Sequence, residues 1–408
     1  MKILQVNTAT GRGSIGHIEE QIGNLVLQSG GDSTIAYSWG ILQSNSNLLP
    51  IGSPSDRYLH ALGARLFDNA GLLSAHATKQ FLQQVEIINP DIIHLHNIHG
   101  YYLNYEILFS WLRKSRIPVV WTLHDCWPFT GHCAYFTYAK CDKWRSGCDN
   151  CKQLRAYPKS WLWDGSKRNY RRKKNAFSDI ESLTLVTVSK WLENVVRQSF
   201  LKDYPIRQIY NGIDTETFSP QSAESDKAVR SRLGINNRYM LLVVCADWAR
   251  HKEKGIDDIT KLSYLLPKKY AIVLVGMTKE QLRSIPSHII TVERIESQKE
   301  LATFYSAADV VLNLSYEESM GMTTVEGLSC GTPSIVYNST ASPELVDTST
   351  GFVFEPGDIE HISRQLPDIC AKAGSMHTQC RERVLQHFNM TTQFQKYLEL
   401  YHNLLPSK

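Results

Sequence analysis

The sequence contains no long hydrophobic run. No stretch approaches the roughly 18 consecutive apolar residues of a membrane-spanning helix, and the apolar start, Met1–Asn7, is too short for a signal peptide. The chain also lacks a strong charge of either sign, because 44 basic residues are balanced by 40 acidic ones and the net charge is only +4. Nucleic-acid-binding proteins concentrate far more basic charge on one face. These absences predict a cytoplasmic protein that neither crosses a membrane nor binds nucleic acid.

Cysteine, by contrast, is abundant, with nine in the chain, and four of them cluster. The pair Cys148-x-x-Cys151 has the spacing that lets two thiolates bind one tetrahedral ion, and Cys133 and Cys141 lie within one loop's reach. Disulfide bonds persist poorly in a reducing compartment. The cluster predicts a structural zinc ion, with free buried cysteines as the alternative. Four thiolates would leave no open coordination position, so a catalytic zinc is not expected.

The length of 408 residues favours two domains over a single core. Short apolar runs alternate with longer amphipathic ones, a pattern typical of βαβ units and a parallel sheet. In the first half the predicted strands are Lys2–Asn7, Ser33–Ser38, Asp91–Leu95, Pro118–Leu123 and Leu183–Val188. In the second half they are Met240–Cys245, Ala271–Val275, Ile289–Val292, Val310–Leu314 and Ser334–Tyr337. The sequence therefore predicts an α/β protein with two doubly wound domains that face a cleft.

The composition places the boundary between these domains near the turn signal Asn211-Gly212, because a polar stretch follows it. The predicted domains are residues 1–210, with a cysteine-rich insertion at about 126–160, and residues 211–385. The last residues, 386–408, carry apolar side chains at near-helical spacing and predict an amphipathic helix.

A glycine-rich loop, Gly11–Gly16, lies between the first strand and a helix predicted from about His17. Its spelling, G-x-G-x-x-G, is that of a dinucleotide fingerprint, which needs an acid at the far end of the second strand, about 20 residues on. The run Thr34–Trp39 ends without one, and Asp32 lies at the wrong end. A nicotinamide dehydrogenase is therefore disfavoured, and the glycines indicate close approach of the backbone to some other ligand.

Histidines gather where the third and fourth strands end. His94 is predicted to point into the packing face of the sheet and to be structural. His96, His99 and His124 lie at or beyond a strand end, where doubly wound sheets bind ligands. These three residues predict either a functional group or a set of hydrogen-bonded structural residues.

The stretch Ser315–Pro333 carries two acids, Glu318 and Glu326, after an apolar strand and before a helix stop. Thr323 and Glu326 have capping-box spacing, which predicts a helix from about Thr324 whose free N–H groups can hold a phosphate. Glu318 would then lie in the loop and Glu326 on the first helical turn, so that both face one crevice. The alternative is a simple helix cap and a solvated loop acid.

Basic residues follow the first strand of the second domain. Arg250, Lys252 and Lys254 stand at the carboxyl end of that strand, where they could neutralise a diphosphate. Together with the two acids, they favour a nucleoside diphosphate as ligand, with Glu326 accepting hydrogen bonds from the ribose. A solvated basic loop is the alternative.

A second basic run, Lys167–Lys174, follows Trp161 and Trp163. It predicts a solvated helix face or, as an alternative, contact with a membrane surface or an anionic acceptor.

The order and spacing of these motifs resemble the retaining glycosyltransferases of family four, which have two Rossmann-like domains in the GT-B fold. The resemblance runs nearly from end to end, and the cysteine-rich segment with Tyr157-Pro158 looks like the branch that includes colanic-acid-type polysaccharide transferases. The motifs that carry the resemblance are the glycine-rich loop, Asp91–His96, Thr122–Asp125, Val188–Trp191, Asn211–Asp214 with Phe218, Lys254-Gly255, Ala307–Val310, and Glu318 to Glu326 with Cys330–Pro333.

The resemblance implies roles for individual residues. Glu326 would bind the nucleotide ribose, Glu318 the hydroxyls of the donor sugar, and Arg250 with Lys254 the diphosphate. Gly13 would let its loop approach donor and acceptor, and the C-terminal helix within residues 386–408 would cross back to the first domain. The catalytic residues implied are His124, beside the reacting carbon of the donor sugar, and Glu318, and the other donor-binding positions implied are Gly321, Met322 and Thr323.

The function that the resemblance implies is retaining transfer of a hexosyl unit from a nucleoside-diphosphate sugar. The acceptor would be a glycan or a lipid-linked oligosaccharide in cell-surface polysaccharide biosynthesis, reached by a cytoplasmic enzyme with peripheral contact to the inner membrane. Arg250, Lys254 and the helix N-terminus at Thr323 would stabilise the departing diphosphate, so no catalytic metal is expected. The alternatives are a sugar-nucleotide epimerase of similar fold and a non-catalytic, zinc-containing binding protein.

Overall fold

The computed structural model describes residues 1–40, 43–245, 252–278 and 285–405. The chain folds into two compact units. The first consists of residues 1–210 together with 394–408, and the second of residues 211–393. Each unit is built around one parallel sheet.

The first unit contains a seven-stranded parallel sheet in the order β5-β3-β1-β6-β7-β8-β9, and a separate two-stranded ladder of β2 and β4. Its central strands are buried almost throughout, as expected for a parallel sheet covered by helices on both faces. The strands are β1 Lys2–Val6, β2 Ala9–Thr10, β3 Asp32–Tyr37, β4 Trp39–Gly40, β5 Asn47–Pro50, β6 Ile92–Leu95, β7 Val119–Leu123, β8 Leu183–Thr187 and β9 Ile206–Gln208. The helices are α1 Gly13–Gln28, α2 Pro54–Phe67, α3 Ala75–Ile88, α4 Tyr105–Ser115, α5 Ser166–Phe177 and α6 Lys190–Val196.

The second unit contains a six-stranded parallel sheet in the order β12-β11-β10-β13-β14-β15. Apolar side chains from its strands and from two flanking helices form one continuous core. The strands are β10 Tyr239–Val244, β11 Tyr270–Met277, β12 Ile290–Glu293, β13 Val310–Asn313, β14 Ser334–Tyr337 and β15 Gly351–Phe354. The helices are α7 Ala223–Arg232, α8 Ile256–Leu265, α9 Gln298–Ala307, α10 Met322–Ser329, α11 Ile359–Ala373 and α12 His377–His387.

The last helix, α13 Met390–Leu404, confirms the amphipathic helix predicted at the end of the chain. Its aromatic side chains pack into the first unit, where the Tyr401 hydroxyl contacts the Nδ1 atom of His94 at 2.7 Å. Thr122 donates a hydrogen bond to the Tyr397 hydroxyl at 3.3 Å. These polar contacts fix the register of the helix against β6 and β7.

The ten predicted strands are all present, but β2, β4, β5, β9 and β15 were not predicted. Of these, β2 and β4 are two-residue strands of the separate ladder, and β5, β9 and β15 are short, partly buried edge strands. Strands this short carry little hydrophobic periodicity, so the sequence pattern does not reveal them. A further difference concerns α1, which begins at Gly13 rather than near His17, because the glycine-rich loop forms the first helical turn.

No helix in the described ranges is both long enough and apolar enough to cross a membrane.

Two glycines of the second unit, Gly234 and Gly255, have similar backbone angles but different surroundings, and comparing them tests how tightly the chain packs before α8. Gly255 has a φ of +77°, and a Cβ there would lie 2.0 Å from the carbonyl oxygen of Leu314. Gly234 has a similar φ of +69°, but a Cβ there would meet nothing within 4 Å. We expect Gly234→Ala to destabilise the unit by about 1 kcal/mol through backbone strain alone. Gly255→Ala should cost about 2–4 kcal/mol, because overpacking adds about 1–3 kcal/mol.

Urea unfolding of the two variants would measure this difference. Equal destabilisation by both alanines would show that the loop after β13 can move away from Gly255.

Candidate functional site

The loop between β13 and α10 enters the helix through glycine. Gly321 is the N-cap residue of α10, with a φ of +83° and no capping hydrogen bond from a side chain. The predicted capping box of Thr323 and Glu326 is therefore wrong, and the helix starts at Met322, two residues before the predicted Thr324. The reason is that the left-handed glycine turns the chain early, so that Thr323 is already helical and cannot serve as the cap.

Gly321 also lies close against its surroundings. A Cβ at this position would be 3.2 Å from Leu345 Cδ1, 3.3 Å from Asn313 Nδ2 and 3.6 Å from Glu318 Cγ. Asn313 in turn donates a hydrogen bond from Nδ2 to the Thr324 hydroxyl at 2.9 Å. The start of α10 is thus held directly beside the loop acid Glu318.

Lys254 and Glu318 form an ion pair. The Lys254 Nζ atom lies 2.8 Å from Glu318 Oε1 and 3.3 Å from the carbonyl oxygen of Glu317. Burial lowers the pKa of Lys254, but the Glu318 carboxylate raises it more, so the pKa lies above its ordinary value and the ammonium stays charged. Sequence reasoning found both residues, but not that they contact each other.

The two helices beside this ion pair each begin behind a glycine. The helices α8 and α10 start behind Gly255 and Gly321, and neither has a side-chain cap. By contrast α7, α9 and α11 are capped by the side chains of Ser222, Ser297 and Asp358, while α12 has no side-chain cap but follows directly on a 3-10 turn. Uncapped N–H groups and the positive end of the helix dipole attract anions. With Lys254 next to Gly255 and paired with the loop acid beside Gly321, the two helix starts could hold an anion.

Two further basic residues were predicted here. Lys252 is exposed in a short 3-10 turn that ends at Lys254. Arg250, predicted to face a diphosphate, lies outside the described residues.

Glu326 lies on α10 and accepts a hydrogen bond at Oε2 from the Tyr305 hydroxyl of α9, at 2.7 Å. Burial raises the pKa of Glu326, and the hydrogen bond from Tyr305 opposes that shift without cancelling it. Because Tyr305 engages Oε2, Oε1 is the oxygen that Glu326 can offer to a ligand. Tyr305 was missed by sequence reasoning, since nothing in the local pattern links α9 to α10.

Asp258 was also missed. Its Oδ2 atom accepts hydrogen bonds from the Tyr316 hydroxyl at 2.5 Å and the Tyr337 hydroxyl at 2.8 Å. Tyr316 belongs to the loop that carries Glu318, and Asp258 to the first turn of α8. This buried carboxylate therefore ties the acidic loop to the helix that follows Lys254.

The histidines of the first unit form a buried hydrogen-bonded network. His94 is structural, as predicted, because its ring nitrogens contact Tyr401 and Thr122. For His96 and His99, the contacts favour the alternative of hydrogen-bonded structural residues. His99 is buried and contacts Tyr157 and Asp125, each at 2.9 Å. His96 is likewise buried, with partners at both ring nitrogens. A buried imidazole away from water must satisfy both nitrogens internally.

The same network fixes which nitrogen of His124 carries the proton. Gln5 donates from Nε2 to the carbonyl oxygen of Glu19 at 2.8 Å, so its Oε1 accepts from His96 Nε2 at 3.1 Å. The Nδ1 atom of His96 must then accept from His124 Nε2, which lies 3.1 Å away. Burial lowers the pKa of His124 to about 4, so this ring is neutral at pH 7. His124 consequently presents Nδ1 as a hydrogen-bond acceptor.

Gly13 begins α1 with a φ of +66°, and a Cβ added there would meet nothing within 4 Å. Arg12, the N-cap residue, makes no side-chain capping bond. The space over this helix start is therefore open, and its N–H groups can reach a ligand.

The four clustered cysteines line one small cavity of about 20 Å³. Gly131 donates a hydrogen bond from its backbone N–H to Cys148 Sγ at 3.2 Å, and Gln153 does the same to Cys151 Sγ at 3.4 Å. However, no three His, Cys, Asp or Glu side chains of the described ranges are arranged so that they could hold a metal ion. The structure thus brings Cys133, Cys141, Cys148 and Cys151 together but does not support the predicted four-thiolate zinc site.

Comparison with known proteins identifies the relatives of this chain. The family model described as Glycosyltransferase Family 4 matches residues 52–217, and the model described as Glycosyl transferases group 1 matches residues 230–386. A putative colanic acid biosynthesis glycosyl transferase of Escherichia coli (strain K12) is 24% identical, over 99% of this chain and 100% of that protein. Alpha-monoglucosyldiacylglycerol synthase of Acholeplasma laidlawii is 26% identical over 71% of each chain. The structure of HepE from Anabaena in complex with UDP-glucose has a TM-score of 0.68 at 16% identity, and the match covers 99% of this chain and 100% of that one.

Two units with parallel sheets and these structural neighbours define the class as a glycosyltransferase with the GT-B fold. Within this class, the chain belongs to glycosyltransferase family four, and it is similar over its full length to a protein of the colanic acid branch.

The raised pKa of Glu326 leads to a prediction about stability. Folding raises the pKa of this carboxyl above its ordinary 4.5, so ionisation costs stability at pH 7, and the cost disappears as the pH falls below 4.5. Glu326→Gln keeps an acceptor for Tyr305 but cannot ionise. We expect this variant to melt at a higher temperature than the wild type at pH 7, and the gap to shrink as the pH is lowered toward 4.5.

Differential scanning calorimetry without ligand would measure this gap, with Glu382→Gln, an exposed position on α12, as the control. A wild type more stable than Glu326→Gln at pH 7 would contradict the prediction.

Proposed function

We propose that the protein transfers a hexosyl unit from a nucleoside-diphosphate sugar to a glycan or lipid-linked oligosaccharide, with retention at the anomeric carbon, in cell-surface polysaccharide biosynthesis. The observation that carries this proposal is the pair of uncapped helix starts, behind Gly255 and Gly321, on either side of the Lys254 ammonium. A diphosphate has the charge and the oxygen atoms that such an arrangement binds.

Each part of the donor finds a complementary group in the second unit. The diphosphate contacts Lys254 and the free N–H groups at Met322 and Thr323. We propose Arg250, which lies outside the described residues, as a second cation for the diphosphate. Glu326 accepts a hydrogen bond from the ribose at Oε1, while Tyr305 holds its other oxygen.

The ion pair between Lys254 and Glu318 suggests an exchange on donor binding. Without donor, each charge is neutralised by the other at 2.8 Å. An incoming diphosphate competes for the ammonium and frees the Glu318 carboxylate, which then accepts hydrogen bonds from the hydroxyls of the donor sugar. Donor binding thus prepares the acid that orients the sugar.

For the first unit, we propose that His124 Nδ1 accepts a hydrogen bond from a hydroxyl of the transferred sugar, and that the loop at Gly13 approaches the donor and acceptor. A neutral acceptor nitrogen suits a hydroxyl donor and adds no positive charge beside the anomeric carbon.

The reaction breaks the bond between the anomeric carbon and the diphosphate oxygen, which keeps the electron pair. The acceptor oxygen forms the new bond on the same face of the sugar, and its proton passes to the departing phosphate. Lys254 and the N-terminus of α10 stabilise the negative charge that develops on the diphosphate. These groups supply the required charge, so the proposal does not call for a catalytic metal.

The names of relatives support the substrate classes. The Escherichia coli relative is named for colanic acid biosynthesis, and HepE of Anabaena was solved with UDP-glucose. On this basis we propose a nucleoside-diphosphate hexose as donor and a surface-polysaccharide intermediate as acceptor.

The first test is to incubate the protein with nucleoside-diphosphate sugars that raise its melting temperature. With an acceptor, NMR of the product should show the anomeric configuration of the donor. Without one, the sugar nucleotide should stay unchanged. Inversion in the product would refute retention, isomerised sugar nucleotide would indicate an epimerase, and nucleic-acid binding without nucleotide-sugar binding would indicate a binding protein.

The two acids should have separable effects. Glu326→Ala should weaken donor binding about tenfold to hundredfold, because a hydrogen bond to a charged group contributes about 1.5–3 kcal/mol. Glu318→Ala should lower kcat more than nucleotide affinity. Glu382→Ala on α12 is the control. Wild-type rates and affinities in both site variants would refute the site assignment.

A structural zinc ion at Cys133, Cys141, Cys148 and Cys151 stays a proposal. Its support is that all four thiols line one cavity and that two of their sulfurs already accept backbone hydrogen bonds. His132 lines the same cavity, and its Nε2 atom is buried without a hydrogen-bond partner. Side-chain rotation would have to bring the ligands to about 2.3 Å from a common centre.

Metal analysis of the protein as isolated would test this. We expect about one zinc per chain, lost in Cys148→Ser and kept in Cys370→Ala, a cysteine of the second unit. Absence of zinc from a folded wild type would refute the site.

A further inference from the structure

The first unit carries a groove that the proposed function does not use. It lies between α3 and α4 and has a volume of about 530 Å³, which is within the range of ligand sites, about 300–1,000 Å³. Its lining residues recur at helical spacing, from Lys79 to Glu86 on α3 and from Glu106 to Lys114 on α4. The groove therefore runs along the two helices for about 11 Å, given the rise of 1.5 Å per residue.

The apolar part of the lining contains an indole in a fixed orientation. Trp111 is half-buried and lines the groove beside Leu82 and Ile107. Its Nε1–H group donates a hydrogen bond to Glu86 Oε1 at 3.0 Å. Because Trp111 belongs to α4 and Glu86 to α3, this bond joins the two walls and orients the ring before any ligand arrives. A flat, electron-rich ring face is thereby preorganised in the groove.

Polar groups of both kinds stand beside the indole. Gln83 supplies an amide and Ser110 a hydroxyl, and both residues are exposed. Together they offer hydrogen-bond donors and acceptors. A pyranose ring has a matching surface, because its C–H groups form an apolar face with small positive partial charges and its hydroxyl groups lie around the edge. The combination of an oriented indole and adjacent polar side chains therefore fits a sugar ring.

The charges of the lining favour an acidic ligand. Both carboxylate oxygens of Glu106 accept hydrogen bonds from Arg172, so this acid is already neutralised. Neither Lys79 nor Lys114 forms an ion pair with any residue that the structure describes. With Glu86 as the one acid of the lining that has no cationic partner, the two lysines leave a net positive charge in the groove.

The topology of the first unit gives the groove a direction. The helix α3 leads into β6 and α4 leads into β7. In a parallel sheet such helices run opposite to the strands, from the carboxyl edge of the sheet back to the amino edge. The end of the groove at Lys79 and Glu106 thus lies toward the carboxyl edge, where His124 follows β7.

We propose that this groove binds a segment of an acidic oligosaccharide, with a pyranose ring stacked on Trp111 and a uronate carboxylate beside Lys79 or Lys114. The site is separate from the donor site and performs no chemistry. Its biological role rests on the proposed function, since it would hold a distant part of the acceptor glycan and raise the local concentration of the end that reacts. A groove of about 11 Å is too short for a stable protein interface, which buries about 800 Å² on each partner.

Isothermal titration calorimetry of the full chain tests the inference with two probes, cellotetraose and the tetrasaccharide of glucuronate with the same linkage. At low salt the wild type should bind the glucuronate probe about threefold to fivefold more tightly than cellotetraose. Trp111→Ala should weaken the binding of both probes at least about fivefold. Trp111→Phe keeps an aromatic face and should restore binding to within about threefold of the wild type.

The two lysines should affect only the choice between the probes. In Lys79→Gln/Lys114→Gln the two probes should bind equally, while the affinity for cellotetraose stays within about twofold of the wild type. A loss of affinity for both probes in this variant would contradict the assignment of the lysines to a uronate carboxylate.

Matched controls come from elsewhere on the first unit. Trp163→Ala removes an exposed indole and Lys202→Gln an exposed ammonium, and both variants should bind the probes within about twofold of the wild type. All variants should keep the thermal stabilisation by the donor nucleotide. Probe binding without any stabilisation by nucleotides would count against the proposed function alone, and the reverse result would count against the groove alone.

Three results would overturn the inference. The first is a wild type that binds neither probe at about 10 mM, a concentration that detects even weak sites. The second is undiminished probe binding by Trp111→Ala. The third is self-association that Trp111→Ala abolishes, without probe binding, because the occupant of the groove would then be a second copy of the chain.

Discussion

An α-helix begins with backbone N–H groups that have no partner within the helix, and they must find one elsewhere. In the second unit, serine or aspartate side chains satisfy this need at α7, α9 and α11, while α8 and α10 begin behind glycine and leave it open. Both uncapped helix starts lie near Lys254. Their unpartnered N–H groups and the lysine ammonium therefore favour an anion at one edge of the sheet. The donor site that we propose rests on this distribution of caps.

The packing around that edge of the sheet requires glycine at two positions and shifts the pKa of one carboxyl group. Gly255 and Gly321 hold left-handed conformations where a side chain would collide with Leu314 or crowd Asn313. Burial raises the pKa of Glu326, so its ionised form is disfavoured in the folded unit. Carboxyl groups with perturbed pKa values are typical of functional sites.

In the first unit, several histidine rings are buried and need hydrogen-bond partners inside the protein. His94, His96 and His99 are buried, and each has both ring nitrogens satisfied by neighbours on β1, on β7 or the two residues after it, on α13 or in the cysteine-rich segment. This completeness has a chemical consequence, since a chain of fixed donors and acceptors leaves His124 in one tautomer. This buried hydrogen-bond network thereby determines that His124 presents Nδ1 as a hydrogen-bond acceptor.

The sequence by itself determined ten of the strands, the two parallel sheets, the family motifs and the residues of the acidic loop, because apolar runs and short-range spacing encode them. The short strands β2, β4, β5, β9 and β15 were not predicted, since strands of two to four residues carry little periodicity. Only the tertiary structure decided the contacts over long sequence separation. Lys254 forms an ion pair with Glu318, and Glu326 accepts a hydrogen bond from Tyr305 instead of closing a capping box. His96 and His99 are buried and hydrogen-bonded within the first unit. Local patterns cannot show such contacts, because they depend on which helix and strand ends the fold brings together.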